Sequence, residues 1–85
     1  MTWRVEFRPS ARAQLSALDR VAQTRILRSL QRLVGNPRAS GNVKALKGSE
    51  RYRLRVGDWR VIYELHDDVM MVLVIEIGHR REVYR

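Results

Sequence analysis

Residues 51–63 read Arg-Tyr-Arg-Leu-Arg-Val-Gly-Asp-Trp-Arg-Val-Ile-Tyr, and they predict two β-strands joined by a tight turn. Gly57-Asp58 is the predicted turn, because a two-residue loop with Gly between alternating segments is typical of a β-hairpin. Side chains alternate between the two faces of a strand, so Arg51, Arg53 and Arg55 share one face. The hairpin therefore predicts a sheet with one arginine-rich face.

The predicted register places like charges opposite each other. A two-residue turn pairs Arg55 with Arg60, whereas Arg51 faces Glu64. Two unit charges about 5 Å apart repel by roughly 1 kcal/mol in water and by about 3 kcal/mol at an effective dielectric constant near 20. In this register Arg53, Arg55 and Arg60 have no carboxylate opposite them. A cluster of this kind on a rigid hairpin indicates a binding site for a phosphate group.

Length and composition favour a basic, single-domain protein. The 85 residues suffice for one domain, 1–85, with one modest core. The net charge is +8, and since Lys44 and Lys47 are the only lysines, 15 of the 17 cations are arginines. Residues 1–50 hold 10 cations and 3 anions, and residues 51–85 hold 7 and 6. Such a surface suits nucleic acid, acidic lipid or an acidic protein partner.

Several classes of protein are excluded or disfavoured. The chain has no cysteine, which excludes disulfides and thiolate metal sites. Its longest apolar run, 69–75, is too short to span a membrane, and no signal peptide is recognisable at the N-terminus. We therefore expect a cytoplasmic protein without a membrane partner.

The N-terminal part predicts a strand followed by two helices. Residues 2–8 alternate apolar and charged side chains, which indicates a strand with one buried face. Pro9 suits the first turn of a helix, and Asp19 is a candidate N-cap for a second helix. The second helix carries an apolar stripe formed by Ala22, Ile26, Leu30 and Leu33. Its other side carries Arg25, Arg28 and Arg32, which we interpret as a solvated or partner-facing surface.

The C-terminal half predicts a connection and three strands. Residues 36–50 show no periodicity, and connections of this length are often functional. Strands are predicted at about 50–56, 59–66 and 69–77, and the last is apolar on both faces, as expected in a sheet interior. The order β-α-α-β-β-β predicts an α+β domain whose antiparallel sheet has both helices packed on one face. The opposite face, toward which the arginines point, is left for function.

The position of the C-terminal tail depends on the second turn. If Asp67-Asp68 is that turn, Arg60 lies opposite Ile75. A bend at Gly78 then brings His79, Arg80 and Tyr84 back beside the hairpin arginines, because glycine adopts backbone angles that other residues avoid. A three-residue turn reverses every assignment in the last strand.

Five short segments in combination resemble the RelE/ParE toxin superfamily, and specifically its RelE branch. They are Lys44-Ala-Leu-Lys-Gly48, Tyr52-Arg-Leu-Arg55, Gly57-Asp-Trp-Arg-Val-Ile-Tyr63, Ile77-Gly-His-Arg80 and Val83-Tyr84. The resemblance covers essentially the whole chain and implies a RelE-like fold. It implies the toxin of a type II toxin–antitoxin system, a ribosome-dependent endoribonuclease that cleaves messenger RNA in the A site. In this reaction the 2′-hydroxyl attacks the adjacent phosphate, and neither a metal nor another cofactor takes part.

The resemblance also implies roles for individual residues. Arg53 and Arg55 fall where RelE has two lysines, Arg60 and Arg80 match its catalytic arginines, and Tyr84 matches the tyrosine that stacks on a base. Guanidinium groups suit the extra charge of a pentavalent phosphorane, and aromatic rings suit single-stranded bases. Further contacts with RNA or the ribosome are expected from Lys44, Lys47, Arg51 and Arg81.

One departure from the RelE pattern concerns proton transfer. Lysine with a lowered pKa acts as a general base, but Arg55 does not deprotonate in a protein. Either the chain relies on positioning and electrostatics, or another group takes the proton. His79 is the first candidate, since its intrinsic pKa lies near neutrality, and Glu50 and Asp58 are weaker ones.

Partners and alternatives follow from the same resemblance. It implies a cognate RelB-like antitoxin with acidic segments, the ribosome with its messenger RNA, and operator DNA bound indirectly through the toxin–antitoxin complex. Three alternatives remain: a ParE-like toxin that inhibits DNA gyrase, a non-catalytic nucleic-acid-binding module, and an inactive homologue. Strand arginines that only protect a sheet edge are the structural alternative to a phosphate site.

Overall fold

The computed structural model describes residues 3–38, 42–48 and 50–79, which form one sheet and two α-helices. The elements in chain order are β1 (Arg4–Phe7), α1 (Pro9–Ser16), α2 (Arg20–Leu33), β2 (Val43–Ala45), β3 (Arg51–Val56), β4 (Trp59–His66), a 3-10 turn (Asp67–Val69) and β5 (Met71–His79). The sheet order is β1-β5-β4-β3-β2. This confirms the predicted α+β class.

Both helices begin where the sequence predicts. Pro9 starts α1, where its fixed backbone angle fits and its missing N–H leaves no bond unmade. The Asp19 carboxylate accepts a hydrogen bond of 2.8 Å from the Ala22 amide and so caps α2. The predicted apolar stripe of α2 is buried against the sheet. Neither helix in the described part of the chain has the length and apolar composition that crossing a bilayer requires.

The core lies between the helices and one face of the sheet. Tyr63 is fully buried there, and its hydroxyl donates a hydrogen bond of 2.6 Å to the carbonyl oxygen of Pro37. This bond fastens the chain that leaves α2 to the middle of β4. The Tyr52 and Tyr63 rings stack with their centroids 5.6 Å apart, so β3 and β4 are also held together by aromatic packing.

The sheet is mixed, so the prediction of an antiparallel sheet was wrong in one pairing. β2, β3, β4 and β5 pair antiparallel, but β1 runs parallel to β5, with Val5 opposite Val72. The helical connection after β1 permits either direction, and the alternation within β1 carries no information on it. β5 lies between β1 and β4, which confirms its predicted interior position.

The segment 36–50 contains a strand that the sequence did not reveal. β2 pairs with β3, and Lys44 lies opposite Arg53. With three residues, β2 is too short to produce a recognisable alternation. β2 extends the sheet beyond the hairpin and forms the edge strand next to β3, the strand that carries Arg51, Arg53 and Arg55.

The register of β4 with β5 differs from the prediction. Four residues, 67–70, separate the two strands, and Met70 adopts the left-handed conformation (φ 48°). A β-bulge between Ile62 and Tyr63 adds one further shift, so Arg60 lies opposite Gly78 and not Ile75. β5 continues through Gly78 to His79, so the predicted bend at Gly78 is wrong.

Candidate functional site

The β3–β4 hairpin forms with the predicted register. Gly57 adopts the left-handed conformation (φ 59°), which a two-residue hairpin turn requires and glycine supplies without steric cost. Val56 faces Trp59, and Arg55 lies opposite Arg60. The like-charged pair inferred from the sequence is therefore present.

The two guanidinium groups of that pair occupy different environments. Arg60 is only 7% exposed, and its Nη1 donates hydrogen bonds of 2.9 Å to the carbonyl oxygens of Gly57 and Trp59. Arg55, by contrast, is exposed. The interpretation of Arg60 as a guanidinium open to phosphate was therefore wrong for Nη1, because both hydrogens of that nitrogen bind the turn.

Arg51 is compensated by an acidic neighbour, as the register predicts. Its Nε donates to Glu64 at 3.1 Å, and His66 lies 3.3 Å from the other oxygen of the same carboxylate. Burial raises the pKa of Glu64, but the hydrogen bonds from Arg51 and His66 outweigh burial and hold this pKa below its ordinary value. Arg51 thus belongs to a local charge cluster on the strand.

Lys44, Arg53 and Arg55 meet at the edge of the sheet. A groove of about 280 Å³, which we call the hairpin groove, is lined by Asn42, Val43, Lys44, Arg53 and Arg55. The Arg55 amide donates to the Asn42 carbonyl at 2.9 Å, which fixes the chain before β2 against β3. Two strands thus bring three cations to one concave surface. Lys47 lies beyond β2 and does not line this groove.

The predicted position of His79 was wrong. Its Cα lies opposite Trp59, and the imidazole packs edge-on against the indole with centroids 5.7 Å apart. Because Gly78 pairs with Arg60 and successive residues point to opposite faces, His79 lies on the other face of the sheet from Arg53 and Arg55. The imidazole is therefore not part of the hairpin groove.

The remaining predicted residues are distributed as follows. Glu50 lines a separate pocket with Arg38, Tyr52, Leu65 and Asp67, and Asp58 is exposed in the hairpin turn. Arg80, Arg81 and Tyr84 lie outside the described residues. Among the residues that are described, no cluster of His, Asp and Glu is suited to hold a metal ion. The side chains of Lys44, Arg53 and Arg55 give the hairpin groove one ammonium and two guanidinium groups, which suit a phosphate.

Sequence reasoning missed a second basic surface beside the hairpin. A groove of about 270 Å³, which we call the α2 groove, lies between α2 and the hairpin, and Arg25, Arg28, Arg32 and Arg55 are among its lining residues. The spacing of the helix arginines was visible in the sequence. The sequence did not reveal that these arginines of α2 lie next to Gly57.

A protein-family model and several known proteins match the chain. The model of the ParE toxin family, described as the ParE toxin of type II toxin–antitoxin system, parDE, matches residues 5–84. A RelE-like toxin protein of Escherichia coli is 26% identical over 81 residues, which is 94% of this chain and 85% of that protein.

Solved structures of similar fold include toxins bound to antitoxins. The archaeal RelE–RelB complex from Pyrococcus horikoshii contains a chain with a TM-score of 0.81 and 27% identity, covering 94% of this chain and 97% of that one. The intact RelBE toxin–antitoxin complex of E. coli contains one with a TM-score of 0.78 and 25% identity, covering 91% and 95%.

Proposed function

This chain belongs to the ParE toxin family of type II toxin–antitoxin systems, within the RelE/ParE superfamily, and we propose that it is a ribosome-dependent endoribonuclease that cleaves messenger RNA. The observation that carries this proposal is the hairpin groove, where Lys44, Arg53 and Arg55 line one concave surface. Guanidinium groups bind phosphate oxygens through paired hydrogen bonds, so this groove suits an RNA backbone.

The proposed reaction uses the substrate's own nucleophile. The 2′-hydroxyl oxygen attacks the adjacent phosphorus and loses its proton to water, and the bond between phosphorus and the 5′-oxygen breaks. The 5′-oxygen takes up a proton from water, so the products are a cyclic phosphate and a free 5′-hydroxyl. Negative charge builds up on the phosphoryl oxygens in the transition state, and Arg53 and Arg55 stabilise it. Fixed cationic donors aimed at developing charge contribute about 10²–10³ in rate per donor.

Arg60 has a positioning role in this proposal. Its Nη1 binds the carbonyls of Gly57 and Trp59, so it orders the turn that sets the direction of β3 and therefore of Arg55. From the resemblance, Arg80 completes the charge around the scissile phosphate and Tyr84 stacks on a base. Arginine does not act as a base, His79 lies on the other face of the sheet, and neither Glu50 nor Asp58 lines the hairpin groove. In this proposal the reaction therefore relies on positioning and electrostatic stabilisation.

The proposed partner is a RelB-like antitoxin. The P. horikoshii and E. coli structures that resemble this chain are RelE–RelB and RelBE complexes. A chain of net charge +8 attracts an acidic segment, which would cover the same arginines that bind RNA. Binding to operator DNA would then occur through the antitoxin in the complex, and the ribosome places the toxin in the cytoplasm.

Inhibition of DNA gyrase is the second candidate. The family model that matches residues 5–84 carries the ParE name, and members of the superfamily share one fold. A gyrase inhibitor needs a protein-binding surface but no convergence of cations on one phosphate. The two functions therefore differ in whether the hairpin groove is required.

Inducible expression in a bacterial host tests the proposal. The host receives the chain with and without Arg80→Ala or Arg53→Ala, and 5′-hydroxyl ends are mapped on cellular RNA. We expect cleavage within translated codons that disappears in both variants. Growth arrest with intact messenger RNA and altered DNA supercoiling would instead assign the chain to gyrase inhibition.

A further inference from the structure

The face of the sheet that carries Arg53 also carries acidic side chains. The strand register places one on each of β1, β4 and β5, namely Glu6, Glu64 and Glu76. Glu6 and Glu64 form ion pairs of 2.7 and 3.1 Å with neighbouring arginines. Glu76 is exposed and forms no ion pair or hydrogen bond with any other residue of the ranges 3–38, 42–48 and 50–79. Its carboxylate is therefore available for chemistry on this face.

Glu76 lies in one row across the sheet with Arg53, which lines the hairpin groove. Ile62 of β4 pairs with Arg53 on one side and with Glu76 on the other. Neighbouring strands are about 4.8 Å apart, so the Cα atoms of Arg53 and Glu76 are separated by about 10 Å. Both side chains are long and point to the same side of the sheet, and Ile62 between them has no polar side-chain group. A phosphodiester bound by Arg53 on this side is therefore within reach of the Glu76 carboxylate through one water.

The charge of Glu76 favours a role in the chemical step over a role in binding. A carboxylate beside a bound phosphate weakens binding, because like charges repel. Exceptions to charge complementarity of this kind are expected at functional sites. The proposed cleavage needs an acceptor for the proton of the 2′-hydroxyl, and a positioned carboxylate serves as a general base either directly or through one water.

We propose that Glu76 is the proton acceptor of the cleavage reaction and acts through one water. The inference rests on the proposed function and adds a base to the positioning and electrostatic stabilisation described there. The 2′-hydroxyl gives its proton to the water as its oxygen attacks phosphorus, and the same water gives a proton to the Glu76 carboxylate. The bond between phosphorus and the 5′-oxygen breaks, and the 5′-oxygen takes a proton from a second water. The hydroxide left behind is neutralised when the carboxylic acid of Glu76 releases its proton to solvent.

The test separates the chemical step from binding. Glu76→Gln keeps the shape of the side chain and removes the carboxylate. The control, Glu6→Gln, removes the same charge from an exposed position on the same face, in the edge strand β1. Single-turnover cleavage of messenger RNA on ribosomes and the affinity for ribosomes are measured separately for both variants. Thermal unfolding confirms that each variant is folded.

We expect Glu76→Gln to lower the single-turnover rate by about 100-fold, while Glu6→Gln cleaves at close to the rate of the unsubstituted chain. The affinity of Glu76→Gln for ribosomes should stay the same or increase, because a charge that repels RNA has been removed. Glu76→Asp retains a carboxylate and should keep its rate within about tenfold of the unsubstituted chain. Equal rates in Glu76→Gln and Glu6→Gln would overturn the proposal, because a residue that acts only through surface charge predicts this result.

Rescue by a small carboxylate gives a second readout. In Glu76→Ala, sodium formate should raise the cleavage rate about tenfold over sodium chloride at the same ionic strength, because formate supplies the missing base. The absence of this rescue, or an equal acceleration of the unsubstituted chain, would overturn the proposal. A chain that cleaves equally well with and without the Glu76 carboxylate keeps the proposed function and loses only this inference. A chain that never produces 5′-hydroxyl ends refutes the proposed function, and this inference with it.

Discussion

Arg60 donates a hydrogen bond of 2.9 Å from Nη1 to the carbonyl oxygen of Gly57, and the guanidinium of Arg25 lies so close to the same glycine that a Cβ atom there would be 2.9 Å from its Nη2. Two arginines from different elements thus contact one turn. Gly57 lines the α2 groove, and Arg55, which lines both grooves, lies two residues before it. This arrangement leads to predictions on stability and on activity.

Arg60 and Arg55 are opposite each other but should differ in their effect on stability. Arg60→Met removes two charge-assisted hydrogen bonds from a buried position, which we expect to lower the free energy of unfolding by about 2 kcal/mol. Arg55→Met, at the exposed partner position, should change it by less than about 0.5 kcal/mol. Urea denaturation measures both values. Similar effects at the two positions would refute the role of Arg60 as a clamp on the turn.

Any side chain at Gly57 should destabilise the fold because of the backbone conformation at this position. Its positive φ is costly for an L-residue, so we expect Gly57→Ala to lower the free energy of unfolding by about 1–2 kcal/mol. Gly35→Ala is the control, since its Cβ would meet only the Arg32 carbonyl at 3.7 Å. Adding Arg25→Ala to Gly57→Ala relieves the close contact but not the backbone strain, so the double variant should stay destabilised. Recovery of full stability in that double variant would show that contact, and not φ, limits this position.

The interactions of the Glu64 carboxylate with Arg51 and His66 predict a loss of stability in acid. Burial raises its pKa, but Arg51 and His66 outweigh burial, so its folded-state pKa lies below the ordinary value of 4.5. A group with a lowered folded-state pKa stabilises the fold above its unfolded pKa, and that contribution is lost as the pH falls through the folded value. Glu64→Gln should therefore lower the melting temperature at pH 7, and the difference from the unsubstituted chain should shrink toward zero in acid.

Melting curves from neutral to acidic pH measure this convergence. Glu76→Gln, which removes a carboxylate from an exposed position of β5, controls for the change in net charge. A difference for Glu64→Gln that persists unchanged into acid would contradict the assigned interaction with Arg51 and His66.

His79 and Arg55 should have opposite effects on cleavage. His79 packs against Trp59 on the face away from the hairpin groove, so His79→Ala should leave the single-turnover rate close to that of the unsubstituted chain. Arg55→Ala removes a cationic donor and should lower the rate by about 100-fold or more. Single-turnover cleavage of messenger RNA on ribosomes compares the two variants. A comparable loss of cleavage rate in His79→Ala would contradict this prediction and support the imidazole as the proton acceptor.

The parts of the fold that the sequence predicted are local. The two-residue turn at Gly57-Asp58 fixes the hairpin register by itself, so the pairs Arg55–Arg60 and Arg51–Glu64 followed correctly. The Asp19 cap and the stripe of α2 are likewise set by neighbouring residues. Each of these features depends on a few consecutive positions.

The predictions that were wrong concern features that depend on pairing between distant segments or on the insertion of single residues. Four residues and a bulge, instead of two residues and none, moved the partner of Arg60 from Ile75 to Gly78. That shift placed His79 on the wrong face in the prediction. The parallel pairing of β1 with β5 and the three-residue β2 leave no periodic signal. The burial of Arg60 was also not predicted. The alternation of apolar and polar residues along a strand indicates the face on which a side chain lies, but not the carbonyl oxygens to which it donates hydrogen bonds.

Cleavage by the hairpin groove is the central claim, and one measurement tests it directly. Purified chain is mixed with ribosomes that hold a defined messenger RNA codon in the A site, and the 5′-hydroxyl product is followed in a single turnover. The test variant is Arg53→Gln/Arg55→Gln, and the control is Arg12→Gln/Arg20→Gln, which removes equal charge outside the groove. We predict that the unsubstituted chain cleaves the messenger RNA and that the control variant cleaves it at a similar rate. The cleavage rate of the test variant should be lower by about 10³-fold or more. An unsubstituted chain that leaves the messenger RNA intact, or a test variant that cleaves as fast as the control, would contradict the account.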